Sequence, residues 1–346
     1  MLFRLVRFVA LALAGLTLAS AAHAQAPEKR DIKFSLGWLF QATQSMFTYG
    51  VEKGMFSAEG LNVTVDRGAG SVAAIQRVAS GAYDLSYADL GSLAKYNAEN
   101  PGKELIGVYV AEDGFPLAVF ALEGKGITKP KDLEGRRIGA PSFDGARQMF
   151  PLFSKANNLD NGKITWLTMD AQLREQMLVR GDVDAITGFT TSSAIGLQGL
   201  NAKFVTLRYD NHGVDGFGNT VITSRDFMEK NPNTLRAFLR AFNRSLKGTI
   251  ENPREALASL KNRDALIDMD VEQRRLDMMV TQVILTPNVV KNGLSSADPK
   301  RLQKTIDSVL EVYNLRGPLP AERIYTDRFL PAAAERVAPV YKRVGQ

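Results

Sequence analysis

The sequence contains no cysteine and only two histidines in 346 residues. The lack of cysteine excludes disulfides, thiolate metal ligands and cysteine nucleophiles. His23 falls in the N-terminal leader described below, so a histidine-based zinc site or a Ser-His-Asp triad would depend on His212 alone. The sequence also lacks the G-x-S-x-G, H-E-x-x-H and G-x-x-x-x-G-K motifs. We therefore expect a protein that is not an enzyme and holds neither a metal nor a cofactor.

Only the N-terminus contains a long apolar run. Arg4 and Arg7 precede an apolar stretch from Phe8 to Leu18, and Ala22-His23-Ala24 follows. This order is typical of a secretory signal peptide, here residues 1–24. A membrane anchor is the alternative, but the run is short for a span and no second one follows. The sequence therefore predicts a soluble protein exported to the periplasm.

The charge of the chain is mild and dispersed. The formal net charge is +6, and it falls to +4 without the leader because Arg4 and Arg7 leave with it. No basic patch stands out, so we expect no nucleic-acid partner.

Short strands and helices alternate along two blocks of the chain. The first block extends from a strand at 31–37 to a strand at 116–122, and the second from 137–140 to 219–223. This rhythm predicts an α/β protein with open, mostly parallel sheets. From Pro232 onward the pattern turns helical, at 232–251, 253–262, 270–284 and 299–313, and we expect these helices to pack on the first block.

The two blocks predict two lobes. Lobe 1 is assigned to residues 25–120 and 215–346, and lobe 2 to residues 121–214. The chain would then cross between them twice, near Glu112–Ala121 and near Tyr209–Asn219.

Ligands of open α/β sheets bind where strands end and helices begin, which identifies candidate loops. After the first strand, Trp38 can present an aromatic wall, and Gln41 and Gln44 offer amide groups. The alternative is that Trp38 packs under the adjacent helix. After the second strand, Ser71 follows two glycines at a helix N-terminus, a place that favours an anion. Plain helix capping is the alternative for Ser71, and a match of this loop to the dinucleotide pattern G-x-G-x-x-A is weak.

Further candidates lie after later strands. Asp89 can bind an amine or a ring N–H, or it can cap a helix. In the second block, Ser142 again sits near a helix start, and Arg147 can clamp a carboxylate or sulfonate unless it is simply solvated. Phe189 and Tyr209 can close over a ligand or pack the hinge.

Several segments resemble one family of solute-binding proteins. Four segments are similar, in order and spacing, to motifs of the NMT1/THI5-like family: Tyr49–Phe56 with Glu59–Val63, Gln76–Asp84, Lys131–Gly139 and Gly181–Ala185. That family serves importers of nitrate, sulfonate, taurine and thiamine-precursor pyrimidines. The matches extend from about residue 49 to 189, and they are motifs of helix ends, turns and strand starts rather than of ligand contacts.

The resemblance implies the type II-like two-lobe fold of periplasmic binding proteins, with the ligand in the cleft between the lobes. It also implies delivery of the ligand to an ABC-transporter permease in the inner membrane. From the export signal and the α/β rhythm we expect the mature protein to be a monomer. Two ligand classes stay open: a heteroaromatic, pyrimidine-like ring between Trp38 and Phe189, or a sulfonate or carboxylate on Ser71, Ser142 and Arg147. Two other functions are conceivable. One is a pyrimidine-synthesising enzyme of the same fold, which relies on cysteine and histidine chemistry lacking here, and the other is a sensory binder that docks to a receptor.

Overall fold

The computed structural model describes residues 26–343, so the predicted signal peptide lies outside the described residues. Ten strands form two sheets: β1 Asp31–Ser35, β2 Asn62–Asp66, β3 Leu85–Asp89, β4 Leu105–Val110, β5 Leu117–Leu122, β6 Arg137–Ala140, β7 Thr165–Thr168, β8 Ala185–Phe189, β9 Phe204–Arg208 and β10 Asn219–Ser224. Within residues 26–343, no helix is both long and apolar enough to cross a membrane.

The α-helices cover the sheets and make up most of the C-terminal third. They are α1 Ser45–Glu52, α2 Ser71–Ala79, α3 Leu90–Glu99, α4 Gly145–Ala156, α5 Arg174–Arg180, α6 Ile195–Gly199, α7 Arg225–Lys230, α8 Pro232–Glu251, α9 Pro253–Arg263, α10 Met269–Met279, α11 Pro287–Asn292 and α12 Pro299–Val312. Two π-helical turns, Thr190–Ala194 and Val280–Ile284, precede α6 and follow α10. Short 3-10 turns occur at Ala42–Gln44, Ser57–Glu59, Pro130–Leu133, Asn161–Lys163, Asp210–His212, Ala321–Arg323 and Ala333–Arg336.

Both sheets have the same mixed topology. Their strand orders are β2-β1-β3-β10-β4 and β7-β6-β8-β5-β9. In the first sheet β10 runs antiparallel to β3 and β4, and in the second β5 runs antiparallel to β8 and β9. The other four strands of each sheet all point in one direction, as expected for mostly parallel sheets, and the single reversed strand in each makes the sheet mixed. Strands β5 and β10 are reversed because each follows directly from a crossing at the cleft. The parallel strands of each sheet end at the cleft, whereas β5 and β10 begin there.

We call the first sheet with its helices lobe 1 and the second sheet with α4, α5 and α6 lobe 2. The chain passes from β4 to β5 through residues 111–116 and returns from β9 to β10 through residues 209–218, which agrees with the two predicted crossings. Strand β5 begins before the predicted lobe boundary at residue 120, and the remaining boundary assignments stay predictions.

The C-terminal helices pack on lobe 1, as predicted. Phe238 and Phe242 of α8 stack with Phe34 of β1 and Phe47 of α1, at ring-centroid distances of 5.6 Å and 4.9 Å. Helix α12 packs on both lobes, which was not predicted. Its Leu302 and Ile306 join the core of lobe 1, and its last turns join the core of lobe 2.

Candidate functional site

A cavity lies between the lobes at the edge where β1, β6 and β8 end. It contains about 400 Å³ of space not filled by protein atoms, including the part that opens to solvent. Its walls are formed by Gly37, Trp38, Thr43, Gln44, Gly70, Ser71, Asp144, Gly145, Arg174, Phe189, Thr191, Ser192 and Asn219.

Each lobe contributes one aromatic side chain to this cavity. Trp38 follows β1 in lobe 1 and is half-buried, and Phe189 is the last residue of β8 in lobe 2. The guanidinium of Arg174 lies over the indole of Trp38, with its Cζ atom 4.8 Å from the ring centroid. The indole thus already stacks on a flat, delocalised group. A planar ligand ring would stack on it with the same geometry.

Among the described residues, Arg174 is the only cationic side chain of the cavity wall, and carboxylates already hold it. Its Nη1 lies 3.3 Å from Asp144 Oδ2, and both side chains are almost fully buried. Its Nε and Nη2 donate to Glu175 Oε1 at 2.9 Å and 2.8 Å. Burial raises the pKa of the Asp144 carboxyl above its ordinary value, and the charge of Arg174 counteracts that rise. These contacts use three of the five guanidinium N–H groups, and the two carboxylates offset its positive charge, which disfavours an anionic ligand.

Gln44 presents a buried amide without a full set of partners. Its side chain lies in the cavity wall, and the residue is 1% exposed. The Nε2 atom donates to Thr43 Oγ1 at 3.2 Å, while Oε1 has no partner among the described residues. A buried acceptor without a donor costs free energy, so this oxygen favours a ligand that brings an N–H or O–H group.

Two more carboxylates are buried close to the cavity. Asp89 caps α3 by accepting from the Ser92 N–H at 2.7 Å and from Ser92 Oγ at 2.8 Å. Glu112 accepts from the backbone N–H and the side-chain amide of Asn219, both at 3.0 Å. Burial raises the pKa of both carboxyls. Neither forms an ion pair within residues 26–343, so this part of the molecule has more buried acids than buried cations.

The lobes contact each other beside the cavity. The Val72 N–H of α2 donates to the Phe143 carbonyl of lobe 2 at 3.2 Å. Gly70, with φ +135°, lies so close to the Phe143 carbonyl that a side chain would overlap with it. Gly145 is equally close to Asp89 and Ser71, so glycine is required at both faces of this contact.

Four of the predicted site residues lie in the cavity wall: Trp38, Gln44, Ser71 and Phe189. Gln41 lies just beside it, where its Oε1 accepts from Ser192 Oγ of the other lobe at 2.6 Å. Asp89 adopts its alternative role as a helix cap, one layer behind Ser71, whose Oγ accepts from the Asp89 N–H at 3.2 Å. Their contacts with a ligand stay predictions.

The other three predicted residues lie outside the cavity wall. Ser142 is exposed, and its carbonyl accepts from the side chain of Gln148. The Nη1 atom of Arg147 donates to the Ala140 carbonyl at 3.1 Å and to Thr168 Oγ1 at 2.9 Å.

Tyr209 is fully buried in the core of lobe 2. Its hydroxyl donates to the Ala146 carbonyl at 2.8 Å, and its ring stacks on Phe153. Its polar group is therefore satisfied within the protein.

Sequence reasoning missed most of the polar wall, above all Asp144 and Arg174. Asp144 had a usable signal, because an aspartate before a helix start is a preferred N-cap, and it does accept from the Arg147 N–H at 2.9 Å. Arg174 had none, because it begins α5, thirty residues after Asp144, and only the tertiary fold joins the two. Among the described residues, no group of three or more His, Cys, Asp or Glu side chains is arranged to hold a metal ion.

The known proteins to which this chain is similar are named as binding proteins for small molecules. A riboflavin-binding protein of Chloroflexus aurantiacus is 22% identical over 92% of this chain and 91% of its own length. A formylaminopyrimidine-binding protein of Halalkalibacterium halodurans is 26% identical over 80% of this chain and 86% of its own length. Among solved structures, the alkanesulfonate-binding protein of Xanthomonas axonopodis bound to MOPS aligns with a TM-score of 0.67 at 16% identity, over 86% of this chain and 99% of that one.

The family predicted from the motifs is confirmed. The family model described as NMT1/THI5 like matches residues 42–256, more than half of the chain. The predictions of a two-lobe binding-protein fold and of a solute-binding function are confirmed with it. The chain belongs to the NMT1/THI5-like family of solute-binding proteins.

Proposed function

We propose that this protein captures a small planar heteroaromatic molecule between its lobes and delivers it to an ABC-transporter permease. The observation that carries the proposal is the composition of the cavity wall. Among the described residues, it offers one aromatic face from each lobe and a buried acceptor without a partner on Gln44, while its one cation, Arg174, is already bound by carboxylates. Such a wall suits a neutral or cationic ring that carries N–H groups.

The anion alternative has less support. Of the three residues assigned to a sulfonate or carboxylate, only Ser71 is in the cavity wall. Arg147 donates to groups of its own lobe, and Ser142 is exposed. The two carboxylates paired with Arg174, those of Asp144 and Glu175, also oppose an anion, because like charges repel strongly where water is excluded. The two curated relatives are named for ring compounds, riboflavin and a formylaminopyrimidine.

We further propose that the mature protein acts in the periplasm as a monomer and returns its ligand chemically unchanged. The support is the predicted signal peptide, the periplasmic neighbours of the fold and the binding-protein names of the relatives. Analytical ultracentrifugation tests the monomer, and mass spectrometry of ligand recovered after incubation tests for a reaction. A dimer or a converted ligand would contradict the respective claim.

A thermal-shift screen tests the ligand class. The set includes riboflavin and a formylaminopyrimidine as rings, and MOPS and nitrate as anions. A ligand that binds only the native state stabilises it by about 2.7 kcal/mol at a hundredfold excess over its Kd. We expect the rings to raise the melting temperature and the anions to leave it unchanged. Stabilisation by MOPS or nitrate alone would refute the heteroaromatic class.

A further inference from the structure

We infer that the buried pair Arg275–Glu272 is a positioning device that ties the two walls of the ligand cavity together when the lobes close. The inference rests on the proposed function, because it concerns how the same cavity is formed. Neither residue lies in the cavity wall. Both belong to α10, whose Leu276 and Met279 pack in the core of lobe 1.

Arg275 holds the wall that belongs to lobe 2. Its Nη1 donates to the carbonyls of Thr191 and Ser192, both at 2.8 Å. These residues lie in the π-helical turn Thr190–Ala194, directly after Phe189, and both contribute to the cavity wall. The guanidinium of Arg275 thus extends from lobe 1 to lobe 2. There its hydrogen bonds hold the backbone that presents Phe189 and Ser192.

Glu272 holds the wall that belongs to lobe 1. Its Oε2 accepts from the Ala42 N–H at 2.5 Å, at the start of the turn that carries Thr43 and Gln44 into the cavity. The Nε atom of Arg275 donates to both oxygens of Glu272, at 3.1 Å and 3.0 Å. One ion pair therefore joins the Gln44 turn to the Thr191–Ser192 turn.

The pair is 3% and 6% exposed, so it is desolvated in the closed arrangement. Burial of an ion pair is favourable only when additional hydrogen bonds satisfy its remaining atoms. Here the two carbonyls of lobe 2 provide them. When the lobes separate, Arg275 loses both acceptors, so these hydrogen bonds stabilise the closed state and not the open one.

Conservative variants separate positioning from folding. Arg275→Lys keeps the positive charge beside Glu272, but an ammonium is a point donor and does not reproduce the planar fork that spans a carboxylate and two carbonyls. The matched control is Arg274→Lys, one position earlier on α10 at an exposed site. Urea melts establish that each variant is folded.

The readout is the distance between the lobes, together with affinity. Because the chain has no cysteine, Lys230→Cys in lobe 1 and Arg180→Cys in lobe 2, both exposed, accept spin labels uniquely. Pulsed electron paramagnetic resonance then measures the label distance without ligand and with riboflavin. We expect Arg275→Lys to shift the distribution toward the open, longer distance and to weaken riboflavin binding about tenfold or more, while Arg274→Lys changes neither.

The outcomes separate this inference from the proposed function. Identical distance distributions for wild type and Arg275→Lys, both free and with riboflavin, would overturn the inference. A shift in the free variant, with no response of the wild type to riboflavin, would support the inference and count against the proposed ligand class.

Discussion

Replacing Trp38 by alanine tests whether the indole is a ligand wall. Loss of a stacking partner for a ring costs about 1–3 kcal/mol on the scale known for bases on aromatic side chains. We therefore expect Trp38→Ala to raise the Kd about tenfold to a hundredfold. The free energy of unfolding of the ligand-free protein should fall by less than the roughly 3–5 kcal/mol that removal of a core tryptophan costs. The structure supports this smaller loss, because Trp38 is half-buried and its described stacking partner is Arg174, a contact worth about 0.5–2 kcal/mol.

Trp166 provides a matched control for that experiment. It is the second of the two tryptophans, it is also half-buried, and Arg147 lies over its ring with Cζ 4.9 Å from the centroid. It is outside the cavity wall, so Trp166→Phe should change stability without changing affinity. Calorimetric titration and urea melts of both variants give the two quantities. If Trp38→Ala lowers the free energy of unfolding by 3–5 kcal/mol, roughly, and leaves the affinity unchanged, the indole is a core residue and the stacking argument fails.

Three further predictions follow from the buried groups around the cleft. Burial raises the pKa of Asp89, so its folded carboxyl keeps a proton that the unfolded chain loses, and stability falls as pH rises through the folded pKa. Asp89→Asn should make the free energy of unfolding fall less steeply with pH, by up to about 1.4 kcal/mol per pH unit, in urea melts between pH 4 and 8. An unchanged pH dependence would contradict the raised pKa of Asp89. Gly145→Ala would overlap with Asp89 and Ser71 across the lobe contact, so we expect weaker riboflavin binding, whereas Gly199→Ala, with Val271 at 3.6 Å, is the tolerated control in the same titration. Riboflavin should shrink the radius of gyration measured by small-angle scattering, since two-lobe binders close as hinged bodies, and equal radii at saturation would exclude that closure.

Elements with strong local signals were predictable from the sequence. The bounds of α8, Pro232–Glu251, were predicted to the residue, because Pro232 occupies the first helical position and Pro253 begins the next helix. Helix α4, Gly145–Ala156, also carries strong local signals. Its start is fixed by Asp144, whose carboxylate caps it, and the apolar spacing along it matches a helix packed on a sheet.

The segment that presents the ligand wall of lobe 2 was not predictable in the same way. The turn Thr190–Ala194 is rich in Thr and Ser, which are weak helix formers, and the sequence predicted no helix there. In the structure its carbonyls accept from Arg275, some eighty residues away in sequence. The turn therefore depends on a contact between the lobes, and no window of local sequence contains that information.

Two arginines of lobe 2 show why the proposed ligand class rests on hydrogen bonds rather than on residue types. Arg147 near a helix start suggested an anion site, but its guanidinium turns back to Ala140 and Thr168. Arg174 does reach the cavity, and there Asp144 and Glu175 use its donors. A site built for an anion would present a cation that is free of carboxylates, whereas this wall pairs its cation with two carboxylates and leaves the buried Gln44 Oε1 without a donor among the described residues. We therefore expect a ligand that donates a hydrogen bond to Gln44 Oε1, as a ring N–H or amino group does.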